Sequence, residues 1–486
     1  MNFGILAYIV GYVLKIEGSL LLLPGFVGIY YGEEQAKYFF IVAAITFVAG
    51  FLMTFKKPSD TAFYAKEGLV SVALSWLAMS AFGCLPFLLS GDIPKVADAF
   101  FEIVSGFTTT GSSILSDIEA LPRCSLFWRS FSHWIGGMGV LVFMLTLFPI
   151  DSAAIHIMRA ESPGPQVGKI MPKMKDTSKA LYIIYTALTL LEFFALILCG
   201  REPFDAITTS FGTAGTGGFA IYNDSLVSYP ASAQYVVAVF MLLFGVNFSV
   251  YFLIVARRIR QALKNEELRW YIAIALSATL LIAFSTGEMF EAEEGLRHAL
   301  FQTASIMTTT GFSTTDFNNF PSFAKQIILL LMFIGACAGS TGGGIKVSRI
   351  VILWKSFVNE LSRLIHPRTV KKVRFEGKLV EHGTIRSVNT FIISYILVYI
   401  VSVLVISLDN FSMNTNFTAV AATINNIGPG FDAVGATGNF AGFSDLSKYV
   451  FCFDMIAGRL EIFPMLVLIN PGTWHKIIRH KNKRSS

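Results

Sequence analysis

The sequence predicts an all-α polytopic membrane protein. Four span–pore helix–loop–span units stand in a pseudo-four-fold arrangement behind an N-terminal two-helix hairpin. Three observations predict it. The 486-residue chain is 54% hydrophobic and 14% charged, with a mean hydropathy of +0.61, whereas soluble domains carry about 25% charged residues. Long apolar runs recur at 70–89, 181–198, 236–255, 272–284 with its flanks, and 391–408; a hydrocarbon core of about 30 Å needs about 20 helical residues. Finally, "FTTTGSS" (Phe107–Ser113) returns as "MTTTGFS" (Met307–Ser313), each time after an apolar segment too short to cross.

The first two spans, near 4–30 and 38–55, make a hairpin within 1–60. The N-terminus has neither a basic leading region nor a clear cleavage site, so it reads as a span that stays attached. Four units follow at 61–155, 170–262, 266–365 and 384–475, and a basic tail at 476–486. Each unit holds a short segment: Asp98–Phe107, Phe204–Thr213, Leu296–Met307 and Asn416–Ile424. Such segments reach only about 15–18 Å at 1.5 Å per residue, so they are predicted to be re-entrant half-helices. Counting the hairpin, ten helices are expected to cross.

Lysine and arginine gather in alternate loops, at 56–66, 159–179, 257–269, 355–386 and 476–484. The positive-inside rule places these loops, and hence both termini, in the cytoplasm. "RTVKKVR" (Arg368–Arg374) follows the same rhythm, so no nucleic-acid partner is inferred. The five cysteines, scattered among apolar runs, form neither a disulfide framework nor a metal spacing. No enzyme signature is present. "GSTGGGIK" resembles a phosphate-binding loop but lies inside an apolar span rather than between a strand and a helix, and no cofactor is expected in this chain.

The chemistry is expected in the loops after the half-helices. Irregular backbone at membrane depth survives only where it is buried in protein or lines water. Four such loops converging on one axis present rings of carbonyl oxygens that replace an ion's hydration shell. The expected positions are Thr109, Thr110 and Gly111; Thr216, Gly217 and Gly218; Thr309, Thr310 and Gly311; and Asn426, Ile427 and Gly428. Glycine supplies φ values that other residues resist. In the third unit, "GACAGSTGGG" (335–344) interrupts the run 323–354 with five glycines, each costing a helix about 1 kcal/mol against alanine. This segment is predicted to unwind as a movable gate, with Gly339, Ser340, Thr341, Gly342, Gly343, Gly344 and Lys346 as its members.

Arg459 lies within the last apolar span, where a charge costs at least about 2.5–3.5 kcal/mol. It is read as an electrostatic barrier below the filter, with an ion pair to Glu461 or Asp454 as the alternative. Lys15 and Glu17 in the first span are assigned a local or inter-helix pairing role. Asp117, Glu119, Asp224, Asp316 and Asp432 follow the loops and are candidates for concentrating cations. Arg129, Ser132 and His133 are read as packing and hydrogen-bonding groups.

Taken together, "SGFTTTG", "GTAGTGGF", "TTTGFS", "NNIGPGF", "FWRSFSHWIGGMGV" (Phe127–Val140), "GACAGSTGGGIKVSR" (Gly335–Arg349) and "GRLEIFP" (Gly458–Pro464) resemble the Trk/Ktr/HKT superfamily of potassium transporters over essentially the whole chain. The extra hairpin is similar to the bacterial TrkH/TrkG branch. The resemblance implies a potassium-channel-like core, K+ as the transported ion, and potassium preference from glycine at all four filter positions. It also implies the same gate and barrier, and a homodimer with one pore per protomer in the bacterial inner membrane. The implied partner is a cytosolic TrkA-like (RCK) nucleotide-binding ring, for which the basic loops 159–179, 257–269 and 355–386 are the candidate docking surface. A cation- or proton-coupled symporter is the alternative; it predicts inverted repeats, whereas these units all run in one direction.

Overall fold

The computed structural model describes residues 1–58, 63–139, 174–367 and 372–474. Most of the basic loop expected at 159–179 and the tail 476–486 lie outside the described residues. Helices dominate, and among the described residues the one sheet is a two-stranded hairpin, Arg374–Phe375 with Lys378–Leu379, in the 355–386 connector.

Among the described residues, six helical stretches are long and apolar enough to cross a membrane: Phe3–Tyr31, Ala36–Thr54, Ala65–Ser90, Ser178–Leu198, Glu266–Ser285 and His382–Asp409. The protein is therefore a multi-pass membrane protein. These six correspond to the expected hairpin and to the first span of each expected unit. Their outer faces carry exposed apolar side chains such as Phe51, Leu191, Leu280 and Leu404, as a lipid-facing surface requires.

The inward helices differ from the continuous spans expected. They are Arg123–Gly137, Ala231–Phe244, Ser322–Ile334 and Asp445–Arg459. At 13–15 residues each reaches only about 20–23 Å. Three start directly after a proline (Pro122, Pro230, Pro321), and the fourth starts at Ser444, whose Oγ accepts the Ser447 N–H. All four then stop. The run 236–255 bends by 91° between Phe244 and Phe248, where the Asn247 side chain caps the second piece by accepting the Ser249 N–H. The third unit breaks between Ile334 and Val347, as expected, and the fourth breaks at Leu460–Ile462, where Glu461 and Ile462 have φ of 55° and 71°.

A helix that stops inside protein leaves carbonyls to be satisfied. Tyr182 and Tyr185 hydroxyls donate to Gly139 O and Trp134 O in the first unit. Tyr271 and Tyr251 donate to Leu242 O and Leu243 O in the second. The breaks are thus built into the packing of neighbouring helices.

Lys15 and Glu17, for which a local or inter-helix pairing role is expected, form no ion pair among the described residues. Lys15 Nζ lies over the Tyr12 and Phe51 rings at 5.0 and 5.3 Å, whereas the Glu17 carboxylate is buried with no hydrogen-bond partner among the described residues. Residues two apart on a helix point to different faces, so their closeness in sequence does not bring them together.

Candidate functional site: a ring of four loops and the segment beneath it

The half-helices are Val96–Phe107, Pro203–Gly215, Ala292–Met307 and Met413–Ile424. All four end alike. Thr109 N–H bonds Gly106 O and Thr110 N–H bonds Ser105 O; the same pair of bonds recurs at Thr216 and Gly217, Thr309 and Thr310, and Asn426 and Ile427, all at 2.8–3.1 Å. This is the Schellman pattern, which requires a left-handed residue at the first position past the cap. Glycine usually takes that place. Here Thr109, Thr216, Thr309 and Asn426 take it, with φ of 55°, 56°, 60° and 57°, at about 1–2 kcal/mol each. Two residues on, Gly111, Gly218, Gly311 and Gly428 have φ of 82°, 73°, 86° and 102°. Sequence reasoning assigned the unusual backbone to the glycines alone; half of it falls on threonine and asparagine.

The glycines also have no room for a side chain. A Cβ on Gly111 would lie 1.9 Å from Gly217 O, one on Gly218 1.9 Å from Thr310 O, one on Gly311 2.1 Å from Ile427 O, and one on Gly428 2.8 Å from Thr110 O. Each loop thus abuts the next in chain order, and the fourth returns to the first. Asn426 Nδ2 donates to Thr110 Oγ1 at 3.0 Å and Ser112 Oγ to Gly428 O at 3.0 Å across that closure. All twelve expected filter residues therefore lie in one ring.

Behind the first loop, Arg129 and Glu102 form an ion pair at 2.8 Å with side chains 1% and 0% exposed. Glu102 also accepts Ser113 Oγ and the Ile114 N–H, and Arg129 donates to Ala220 O of the second unit. Gln302 stands at the matching position of the third unit and bonds Ser313 Oγ at 2.8 Å. Substituting Arg129→Met strands a buried carboxylate, a loss of about 3–5 kcal/mol. The expected result is a clear drop in the unfolding temperature of the detergent-solubilised protein, with partial recovery in Arg129→Met/Glu102→Gln. An unchanged transition in the single variant refutes this.

The segment 335–346 lies against the inner ends of the half-helices. Gly343 N–H donates to Thr309 Oγ1 at 2.6 Å and Gly344 N–H to Asn425 O at 3.1 Å. Thr341 Oγ1 donates to Phe244 O at 3.2 Å, and Lys346 Nζ bonds Gly342 O. Gly339 is exposed and Ser340 half-buried. Glu267, which sequence reasoning missed, holds both ends of the segment: its Oε1 accepts the Ala338 and Ser348 N–H groups at 2.7 and 3.2 Å.

Arg459 donates to Thr341 O at 2.6 Å and to Gly136 O and Gly137 O at 2.5 and 2.7 Å. It thus joins three units, at the carbonyl end of the first inward helix, where a cation is favoured. The alternative partners are engaged elsewhere: Glu461 with Arg349, and Asp454 with Ser402. At the outer mouth, Asp117 and Glu119 accept bonds from Asn223, Asp316 caps Asn318, and Asp432 accepts from Asn414. Asp92 nearby is held above the usual carboxylate range by burial, against the pull of a 2.5 Å bond from Ser125 Oγ.

Residues 34–474 match the family model of the TrkH cation transport proteins. The chain belongs to that family. Among TrkH-family relatives, the Trk system potassium uptake protein TrkH of Vibrio parahaemolyticus is 35% identical over 98% of this chain and all of its own length. The TrkH of Salmonella typhimurium is 34% identical at the same coverage. TrkG of Escherichia coli is 31% identical over 97% of this chain and 98% of its own length. The crystal structure of the potassium transporter TrkH from Vibrio parahaemolyticus superposes with a TM-score of 0.88 at 33% identity, covering 98% of this chain and 100% of that one.

Proposed function

We propose that this chain carries potassium ions into the cell across the bacterial inner membrane, through a pore whose filter is the ring at Thr109–Gly111, Thr216–Gly218, Thr309–Gly311 and Asn426–Gly428. The observation that carries the reading is the closed ring itself. Four half-helices end in the same backbone turn, and each glycine abuts a carbonyl of the next loop. Alternation between left-handed and ordinary φ along three or four residues turns successive carbonyls to one side, as ion coordination by backbone oxygens requires. The names of the relatives support potassium as the ion.

The units 61–155, 170–262, 266–365 and 384–475 are the proposed repeats around the pore, with both termini cytoplasmic. Below the filter, 335–346 is the proposed gate and Arg459 its electrostatic companion. The proposed assembly is a homodimer regulated by a cytosolic TrkA-like nucleotide-binding ring docked on the basic loops; the Trk system names of the relatives support a multicomponent system.

Proteoliposomes holding only this chain are expected to take up Rb+, with uptake suppressed by excess K+ and unaffected by collapse of an imposed pH gradient. Uptake that vanishes with the pH gradient or with Na+ removal favours a coupled symporter. No uptake at all, with the regulatory ring added back, refutes potassium transport.

A further inference from the structure

The second loop lacks side chains that brace its counterparts. In register, the first position is Thr108, Gly215, Thr308 and Asn425, and the third is Thr110, Gly217, Thr310 and Ile427. In the first and third loops the two threonine hydroxyls bond each other at 2.8 Å. In the fourth, Asn425 bonds Tyr395 OH at 3.1 Å and Ala421 O at 2.9 Å. In the second, both positions are glycine, and the loop's own side-chain bond there is Thr216 Oγ1 to Gly215 O at 2.6 Å.

The space is filled by His133, from the inward helix of the first unit. A Cβ on Gly217 would lie 2.2 Å from His133 Nδ1 and 2.4 Å from its Cγ. The buried imidazole is hydrogen-bonded at both nitrogens: Nδ1 to Gly106 O at 2.8 Å, and Nε2 to the Phe219 N–H at 3.2 Å. The carbonyl on one side and the N–H on the other assign the proton to Nδ1. The ring also packs on Phe219, with centroids 4.3 Å apart. Gly217, unlike Gly218, is not among the residues with positive φ. Its backbone therefore tolerates a side chain, and it is the imidazole that excludes one.

We propose that His133 is a positioning residue for the second filter loop. It stands in for the missing threonine pair and holds Thr216–Phe219 between the end of the first half-helix and the ring. Ion preference at the second loop is then set partly by a residue of the first unit. This rests on the filter reading above.

The test is a double-mutant cycle read as Rb+ uptake and its competition by Na+ in proteoliposomes. His133→Ala is expected to reduce the preference for Rb+ over Na+ by about tenfold, worth about 1.4 kcal/mol. Gly217→Thr alone, which collides with the imidazole, is expected to abolish uptake. His133→Ala/Gly217→Thr is expected to recover uptake and most of the preference, because the new threonine occupies the vacated space. Relief of the collision alone would restore uptake in the double variant without the preference. If His133→Ala does not fold, the double variant decides: uptake with the preference supports the brace, and uptake without it, or none, overturns it. Wild-type preference in a folded His133→Ala also overturns it. Gly428→Ser, on the far closure of the ring, separates the two readings. If it degrades preference while the cycle shows no coupling, the brace falls and the filter stands. If Gly311→Ser, with the tighter contact to Ile427 O, leaves preference unchanged, both fall.

Discussion

Deleting Ser340–Gly343 is expected to raise Rb+ influx through the reconstituted chain at least about tenfold, an opening free energy of about 1.4 kcal/mol or more. The segment contributes its own backbone to the space beneath the ring. Gly342 and Gly343 lie so close to Thr308 O and Asn425 O that Cβ atoms there would sit 2.8 and 2.2 Å away. Its ends are anchored in the core by Cys337 and Ile345, and its middle is held by hydrogen bonds: Thr309 Oγ1, Asn425 O, Phe244 O, Arg459 and Glu267 each contribute one or two. A buried hydrogen bond contributes only about 0.5–1.5 kcal/mol net, so a handful make a latch that is firm yet reversible. Arg459→Ala removes one of them together with a charge near the path, and a smaller rise is expected. Unchanged influx in the deletion, measured in protein that remains monodisperse, removes the segment from the gate. Lost expression of Arg459→Ala with no change in surviving activity assigns the arginine to assembly alone.

Replacing the ring glycines is expected to produce the largest loss of selectivity. Gly111→Ser, Gly218→Ser and Gly311→Ser each force a side chain against a carbonyl about 2 Å away, at a φ that L-residues resist. The neighbouring loop must move, and with it the carbonyl proposed to hold the ion. A loss of K+ over Na+ preference of at least about a hundredfold, near 2.7 kcal/mol, is expected in each. Gly428→Ser meets Thr110 O at 2.8 Å and is expected to be milder if space dominates. Its φ of 102° works the other way, and a loss equal to the other three shows that backbone strain governs. Wild-type selectivity in any of the first three rejects the ring as the filter.

Fold class was legible because lipid imposes simple rules. Apolar length, basic loops and a repeated threonine–glycine word are local signals, and the hairpin and outward spans follow them. The positions of the four ring loops were legible for a related reason: the same backbone turn, needed four times, leaves the same residue types behind. What was hidden depends on contacts between distant residues. The stops at Phe244 and Arg459 carry no run of glycines like the one at 335–344, and the one at Gly137 has only the short "GGMG"; all three are held by tyrosines and carbonyls from other helices. Glu267 reads as an ordinary acid in a first helical turn until the fold places it against Ala338 and Ser348. His133 reads as packing until Gly217 is seen beneath it. Lys15 meets a local ring and one on the neighbouring helix, Tyr12 and Phe51, rather than the pairing expected of it, whereas Glu17 has no hydrogen-bond partner among the described residues, which nothing in its neighbourhood along the chain announces.

The closure of the ring between its last and first members has a consequence for how the protein is made. Asn426 to Thr110, Gly428 to Ser112 and Lys448 to Asp98 are bonds between residues 316 to 350 positions apart. Contacts of such separation form late, after the entropy of a long intervening chain has been lost. Synthesis proceeds from the N-terminus, so the partners of Thr110, Ser112 and Asp98 in these bonds are the last of the ring to be made. Only when the fourth half-helix inserts does the enclosure exist.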